Sequence, residues 1–491
     1  MDRFQLFIAG EFCDAEGGEV LESIDPSTGE PWAVMPSASV GDTNRAVEAA
    51  SRAFEQGPWP AMTASARGKL LMKLADLVAR DAPHMAELET RDTGKIIRET
   101  RSQIGYAAEY YRYYAGLADK IEGAVLPIDK PMMDVFTRRE PLGVVAAIVP
   151  WNSQLFLSAV KIAPALAAGN TIVLKASEDA PAPLLHLAKL IHEAGFPPGV
   201  VNVLTGEGEK CGVTLTRHPR VARVAFTGGV DTARKVVRNS AENFAVVTLE
   251  LGGKSPVVVF PDADIESAVN GVMAGIFGAS GQSCVAGSRL LVHRSIEDRF
   301  VRRLAERAAA IRIGLPLDAA TEMGPLATLR QVKRAETLIE ESVRGGAALV
   351  SGGRAPAGWD RGYYFAPTIL SAPTAALACM REEFFAPVLS TLAFDTEDEA
   401  VALANDNDFA FAAGVFTGNL ALAHRMVRKI RAGVVWVNTY RAVSPIAPFG
   451  GFRMTGHGRE AGVDAIYDYT RTKTVWINLS DAGMADPFVM R

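Results

Sequence analysis

Three residues carry the most chemistry in this chain: Cys284, Glu250 and Asn152. Cys284 stands in Gly281-Gln282-Ser283-Cys284-Val285-Ala286-Gly287, between an apolar helix-like run at 272–278 and a strand-like run at 289–292. A thiol on a glycine-rich turn, where backbone can approach a ligand closely, is well placed to be a nucleophile. Taken alone it reads more readily as a small buried core residue. Glu250 lies in Leu249-Glu250-Leu251-Gly252-Gly253-Lys254, directly after the strand-like run 245–248, and Asn152 follows Pro150-Trp151 after the apolar run 144–149. A thiol, a carboxylate and an amide, each beside a predicted strand, are the parts needed for covalent chemistry on a carbonyl. The thiolate would attack carbon. The Asn152 amide and a backbone N–H near Cys284 would receive the oxyanion. Glu250 would activate water if burial raises its pKa toward neutrality. Taken singly, Glu250 also fits a capping or surface carboxylate, and Asn152 a turn residue.

The elements that must position these residues follow from periodicity. Residues 65–81 show helical apolar spacing, including Leu70, Leu74 and Leu77, and 92–119 read as one long, tyrosine-rich helix. From Val144 the pattern changes. Strand-like runs at 144–149, 171–175, 200–204 and 224–227 alternate with helices at 159–168 and 182–194. Further strands are expected at 257–260, 289–292, 388–394, 413–416 and 434–438. Such alternation predicts βαβ units and two mostly parallel α/β domains. Residues 124–141 and the Thr/Val-rich tail 470–477 fit neither domain. They are expected to pair as a small sheet, since an exposed edge of this kind is a liability.

Composition excludes several classes. A net charge of −5 gives no basic surface for nucleic acid. The four cysteines, Cys13, Cys211, Cys284 and Cys379, are far apart and form no metal-ligand spacing, so no metal site is expected. Sparse thiols and an N-terminus without a signal-peptide pattern predict a cytoplasmic protein. The apolar stretch 155–168 is too short for a membrane span and contains Lys161 and Pro164.

Eight motifs then appear in order: PWN at 150–152, Lys161 with PALAAGN at 164–170, KASE at 175–178, FTGG at 226–229, LELGGKSP at 249–256, GQSC at 281–284, EEFFAPV at 382–388, and PFGGFRMTGHGRE at 448–460. Over residues 5–480 the chain resembles the aldehyde dehydrogenase superfamily, of the hydrolytic class. The resemblance implies a fold with a Rossmann-like cofactor domain (1–123 and 142–253), an α/β catalytic domain (254–456), and a small β oligomerisation element with the tail (124–141 and 457–491). It implies Cys284 as nucleophile, Asn152 as oxyanion donor, Glu250 as general base, Glu460 in proton relay or thioester hydrolysis, and Lys161 near the cofactor ribose. A homodimer or homotetramer is expected.

The resemblance also implies a bound NAD. Gly206-Glu207-Gly208 is not the usual dinucleotide fingerprint. The pyrophosphate is instead expected at the helix after Thr227, Gly228 and Gly229, where Gly229 replaces a common serine and Ala233 a second glycine. Trp151 is expected beside the cofactor, Lys175 and Glu178 around the adenine ribose, and Glu383 and Phe385 around the nicotinamide ribose. A carboxylate at Glu178 would repel a 2′-phosphate, so NAD is expected over NADP.

The substrate pocket departs from the commoner family pattern. Ser153, Val160 and Val443 stand where some members have aromatic rings, so a wide channel is expected, for a bulky, aromatic or carboxylate-bearing aldehyde. Tyr106, Tyr110 and Phe449 are further expected pocket residues. Arg441 is expected at the mouth, facing a substrate carboxylate, solvent or a subunit interface. Two other readings compete: a CoA-acylating semialdehyde dehydrogenase, whose members commonly lack the base at Glu250, and a non-catalytic binding protein on the same scaffold.

Overall fold

Strand order explains why the candidate residues meet. The computed structural model describes residues 1–489. Its first sheet runs Gly456–His457, Val246–Glu250, Val221–Thr227, Val144–Ile148, Thr171–Lys175, Val201–Leu204, Leu6–Ile8, Glu11–Cys13. The five strands from Val246–Glu250 to Val201–Leu204 are parallel, and the flanking strands are antiparallel. Val145, Ala146 and Ala147 are fully buried, as expected for a parallel sheet covered by helices on both faces.

The chain starts the parallel part of this sheet at Val144–Ile148 and winds outward to Val201–Leu204. It then crosses back to Val221–Thr227 and Val246–Glu250 on the other flank. The reversal lies between Val144–Ile148 and Val221–Thr227, where Ile148 pairs with Phe226. Ligand crevices form at the carboxyl ends of such strands. Trp151 and Asn152 leave one of them and Gly228-Gly229 the other.

The second sheet runs Ala348–Ser351, Thr368–Ser371, Val388–Phe394, Arg289–His293, Pro256–Val259, Ala412–Phe416, Val434–Val437, all parallel except the first. The chain passes between the sheets at 251–255 and returns to the first at Gly456–His457, astride the expected 456/457 boundary. Met133–Pro141 and Thr470–Asn478 form a separate antiparallel ribbon, in unbroken register from Thr470–Pro141 to Asn478–Met133.

Two sequence expectations need correction. The helix read as 65–81 continues from Ala64 to Thr93, straight through Pro83. The next helix starts at Ile97 rather than 92. Gly94, at φ +76°, caps the first helix in the left-handed region and turns the chain. A proline inside a helix costs about 3 kcal/mol. Burial of Leu71, Leu74, Val78 and Met85 offsets that cost. The first forty residues, given no strands from sequence, contribute five.

Candidate active site

Cys284 sits on a turn built from unfavourable backbone. Ala279, Ser280 and Gly281 have φ of +53°, +52° and +73°. A Cβ on Gly281 would collide with the Ala386 carbonyl, so only glycine fits. Gln282 fixes the turn from inside, its Oε1 accepting from Ala327 N–H at 2.9 Å. Asn152 Nδ2 donates to the Gln282 carbonyl at 3.0 Å. The amide after Val144–Ile148 is thereby tied to the thiol turn in the second sheet.

Glu250 ends the strand that pairs with Val221–Thr227. It is 3% exposed, and neither carboxylate oxygen has a hydrogen-bond partner. Burial and the nearby Glu460 hold its pKa well above the usual carboxylate range, against the pull of Lys161 and Arg459. Room for it comes from Gly450, where a Cβ would strike the Glu250 carboxylate. Burial, reinforced by Glu250 and Glu383, pushes the Cys284 thiol up to about 12, while Arg441 pulls the other way. Both shifts favour the protonated forms.

Lys161 lies in the helix Gln154–Ala167, which is buried on almost every face. Its ammonium donates to Thr227 Oγ1 at 2.7 Å and pairs with Glu460. Glu460 is held by two backbone bonds to Phe449, at 2.6 and 2.8 Å. These residues lie behind the cleft wall.

The cleft itself measures about 570 Å³ and brings Trp151, Asn152, Thr227, Gly228, Gly229, Glu250, Cys284, Glu383 and Phe385 together. A second cleft of about 490 Å³ shares Trp151 and Thr227 to Gly229 and adds Lys175 and Glu178. The two clefts share that wall, which lies between Lys175 and Glu178 on one side and the thiol on the other. Gly229 is the N-cap of the helix Val230–Ser240, with no side chain bonded to the first turn. A Cβ there would meet nothing, so the first-turn N–H groups face open space suited to a pyrophosphate. Ala233 is buried in that helix.

Glu383 accepts from Gly253 N–H at 2.9 Å through one oxygen, which leaves the other for ribose hydroxyls. Burial raises its pKa to about 7 against that bond and Lys254. Trp151 and Phe385 meet edge to face at 5.4 Å. Lys175 reaches Glu178 at 3.4 Å. These donors and acceptors fit a dinucleotide.

Several groove residues escaped the sequence reading. Gln331 and Arg334 line the thiol side, donating to the carbonyls of Phe385 at 3.3 Å and Glu383 at 3.1 Å. They come from one turn of the helix Leu329–Arg344, and no motif marks them. Lys95 was missed too. It is buried against Glu89 and donates to Gln103 at 2.6 Å and Ser153 Oγ at 3.1 Å.

The expected substrate-pocket residues line neither cleft. Ser153 has its hydroxyl engaged with Lys95 and the Asn152 carbonyl. Val160 is buried in its helix. Tyr110 packs edge-on to Phe156 at 5.2 Å, and Tyr106 is 43% exposed. Phe449 packs on Phe411 at 5.1 Å. Arg441 and Val443 lie on the loop after Val434–Val437.

A sequence model described as the aldehyde dehydrogenase family matches residues 12–475. The chain is 60% identical, over all of both chains, to a (Z)-2-((N-methylformamido)methylene)-5-hydroxybutyrolactone dehydrogenase of Acinetobacter baylyi. The NAD⁺ complex of an aldehyde dehydrogenase from Bacillus cereus superposes with a TM-score of 0.96 at 42% identity, covering 98% of this chain and 97% of that one. PnpE from a Pseudomonas species superposes with a TM-score of 0.96 at 42% identity, covering 99% and 100%.

Proposed function

Because the chain belongs to the aldehyde dehydrogenase family, we propose that it oxidises an aldehyde to a free carboxylic acid on Cys284, with NAD as the oxidant. The observation that carries this reading is the convergence of Cys284, Asn152 and Glu250 on one groove, with Glu250 buried and unpartnered.

Cys284 gives up its proton to solvent and Sγ bonds to the aldehyde carbon. The carbonyl electrons move to oxygen, giving a thiohemiacetal oxyanion. Asn152 receives that oxyanion with the amide N–H not used by Gln282, together with a backbone N–H of the thiol turn. Bound NAD supplies the acceptor for the hydride that leaves this carbon, and a thioester remains on Cys284. Glu250 then takes a proton from water, whose oxygen attacks the thioester. The C–S bond breaks, releasing acid and restoring the thiol. A buried carboxylate with no ion pair of its own suits that last step, and disfavours resolution by the thiol of CoA.

Glu383 and the N-terminal turn of Val230–Ser240 would hold the nicotinamide ribose and the pyrophosphate. Lys175 and Glu178 would flank the adenine ribose. The negative charge of Glu178, whose side chain is 48% exposed there, supports NAD over NADP. The relative named for a 5-hydroxybutyrolactone points to substrates larger than acetaldehyde. Such a ring interconverts with an open 4-oxo acid, which carries an aldehyde and a carboxylate. The ribbon Met133–Pro141 with Thr470–Asn478 supports a homodimer or homotetramer. A two-stranded ribbon is marginal alone, and this one exposes Trp476 and Ile477.

The test mixes the purified protein with NAD and a panel of aldehydes, with and without CoA, and follows reduced cofactor and free acid. Stoichiometric acid without CoA is expected. Turnover only with CoA would defeat the hydrolytic reading.

A further inference from the structure

Lys95 engages all three of its ammonium donors with side chains that converge from separate elements. It pairs with Glu89, near the end of the helix Ala64–Thr93. It also donates to Gln103 on the helix Ile97–Leu117 and to Ser153, the neighbour of Asn152. The Lys95 side chain is 2% exposed and that of Glu89 1%. Local backbone aims the lysine inward. Gly94 turns the chain at φ +76°, where a Cβ would strike Pro325. Thr93 Oγ1 accepts from Lys95 N–H at 3.2 Å and donates to the Glu89 carbonyl at 2.6 Å.

The hydrogen bonds continue past Ser153. Its hydroxyl accepts from Lys95 at 3.1 Å and donates to the Asn152 carbonyl at 2.7 Å. Glu89 reaches the same turn with its other oxygen, which accepts from Leu155 N–H at 3.4 Å. The helix Gln154–Ala167 starts after Ser153 with no side-chain cap of its own. The Glu89 carboxylate, brought from a different helix, takes that place. Asn152 is therefore held at two points, its carbonyl by Ser153 and its Nδ2 by the Gln282 carbonyl at 3.0 Å. A buried ion pair is weak support for stability in itself. What this pair does have is a direct line of bonds to the oxyanion donor, and such donors act only when placed to within about 1 Å.

We propose that Lys95 is a positioning residue, which acts through the Ser153 hydroxyl to fix the Asn152 amide that receives the oxyanion. This rests on the aldehyde dehydrogenase reading and adds to it a component outside the groove.

The test uses the full-length protein, NAD and an aldehyde that the parent oxidises, and follows cofactor reduction in a single turnover. Ser153→Ala cuts the line of bonds while leaving the Lys95–Glu89 pair intact. It should slow that step by roughly 10-fold with little change in KM for the aldehyde. Ser153→Thr, which keeps the hydroxyl, should recover most of the rate. Lys95→Met combined with Glu89→Gln leaves neither charge buried alone and should lose a similar factor. Adding Ser153→Ala to that pair should lose little more, because all three act through one hydroxyl. An unchanged rate in Ser153→Ala would overturn the proposal. So would a loss confined to KM, no recovery in Ser153→Thr, or losses that multiply in the triple variant. Should the Lys95 and Glu89 variants fail to fold, the two Ser153 variants decide it. A parent that reduces no cofactor with any aldehyde would instead remove the reading on which the proposal rests.

Discussion

Lys161 donates to Thr227 Oγ1 at 2.7 Å, across the point where the first sheet reverses its direction of winding. The same ammonium pairs with Glu460 from the far end of the chain. One buried cation thus fixes the helix behind Asn152, the strand leading to the Gly228-Gly229 turn, and the carboxylate next to Glu250.

Removing that cation leaves Glu460 buried and unpaired. Lys161→Met should therefore cost about 3–5 kcal/mol of stability, the range for breaking a buried pair from one side. Lys161→Met with Glu460→Gln should recover a large part of this. Denaturant midpoints of the three proteins decide it, and a double variant no better than the single one would contradict the argument.

The thiol and the base separate kinetically. Cys284→Ala should abolish both hydride transfer and acyl-enzyme formation. Glu250→Gln should retain a first turnover but slow acid release by about 10²- to 10⁴-fold. Rapid quench distinguishes the two. Full steady-state turnover by Glu250→Gln would transfer the role of base to Glu460.

Both groups are shifted toward their protonated forms, so activity should climb with pH. Burial pushes Cys284 to about 12 and raises Glu250 well above its usual range. Each must lose a proton to act, and kcat/KM is expected to rise as pH rises above neutrality. Stability moves oppositely. Glu383, raised from 4.5 to about 7, keeps its proton in the folded chain after the unfolded chain has lost it. Its contribution is full below pH 4.5 and is lost as pH rises through about 7. A parent and a Glu383→Gln protein with identical stability-versus-pH slopes in that window would refute this.

The proposed preference for NAD rests on one exposed carboxylate, Glu178. Glu178→Gln removes the charge that a 2′-phosphate would meet beside Lys175. The kcat/KM ratio of NAD to NADP should fall by about 5- to 10-fold, a modest factor because solvent screens the site. An unchanged ratio would assign the preference elsewhere.

What the sequence disclosed follows physical scale. Buried parallel strands such as Val144–Ile148 read as continuous apolar runs, because covered faces leave no alternation to misjudge. Cys284 and Glu250 stood out beside glycine runs, and Asn152 by following Pro150-Trp151 at the end of an apolar run. The strands of the first forty residues escaped because several are only two or three residues long. The helix read as 65–81 runs on through Pro83, where tertiary packing overrides the local preference of proline. Gln331, Arg334 and Lys95 were illegible because their importance lies in what faces them, and those partners are remote in the chain.

Glu460 lies 299 residues beyond its partner Lys161, and the strand Gly456–His457 closes the sheet edge beside Glu250 only four residues earlier. Synthesis proceeds from the N-terminus, so both sheets can gather before either group exists. During that interval Glu250 has an open flank and the buried lysine no counter-ion. Completion of the electrostatic surroundings is therefore coupled to emergence of residues 456–460. A nascent chain lacking that segment would hold its thiol in place yet have no mature catalytic environment.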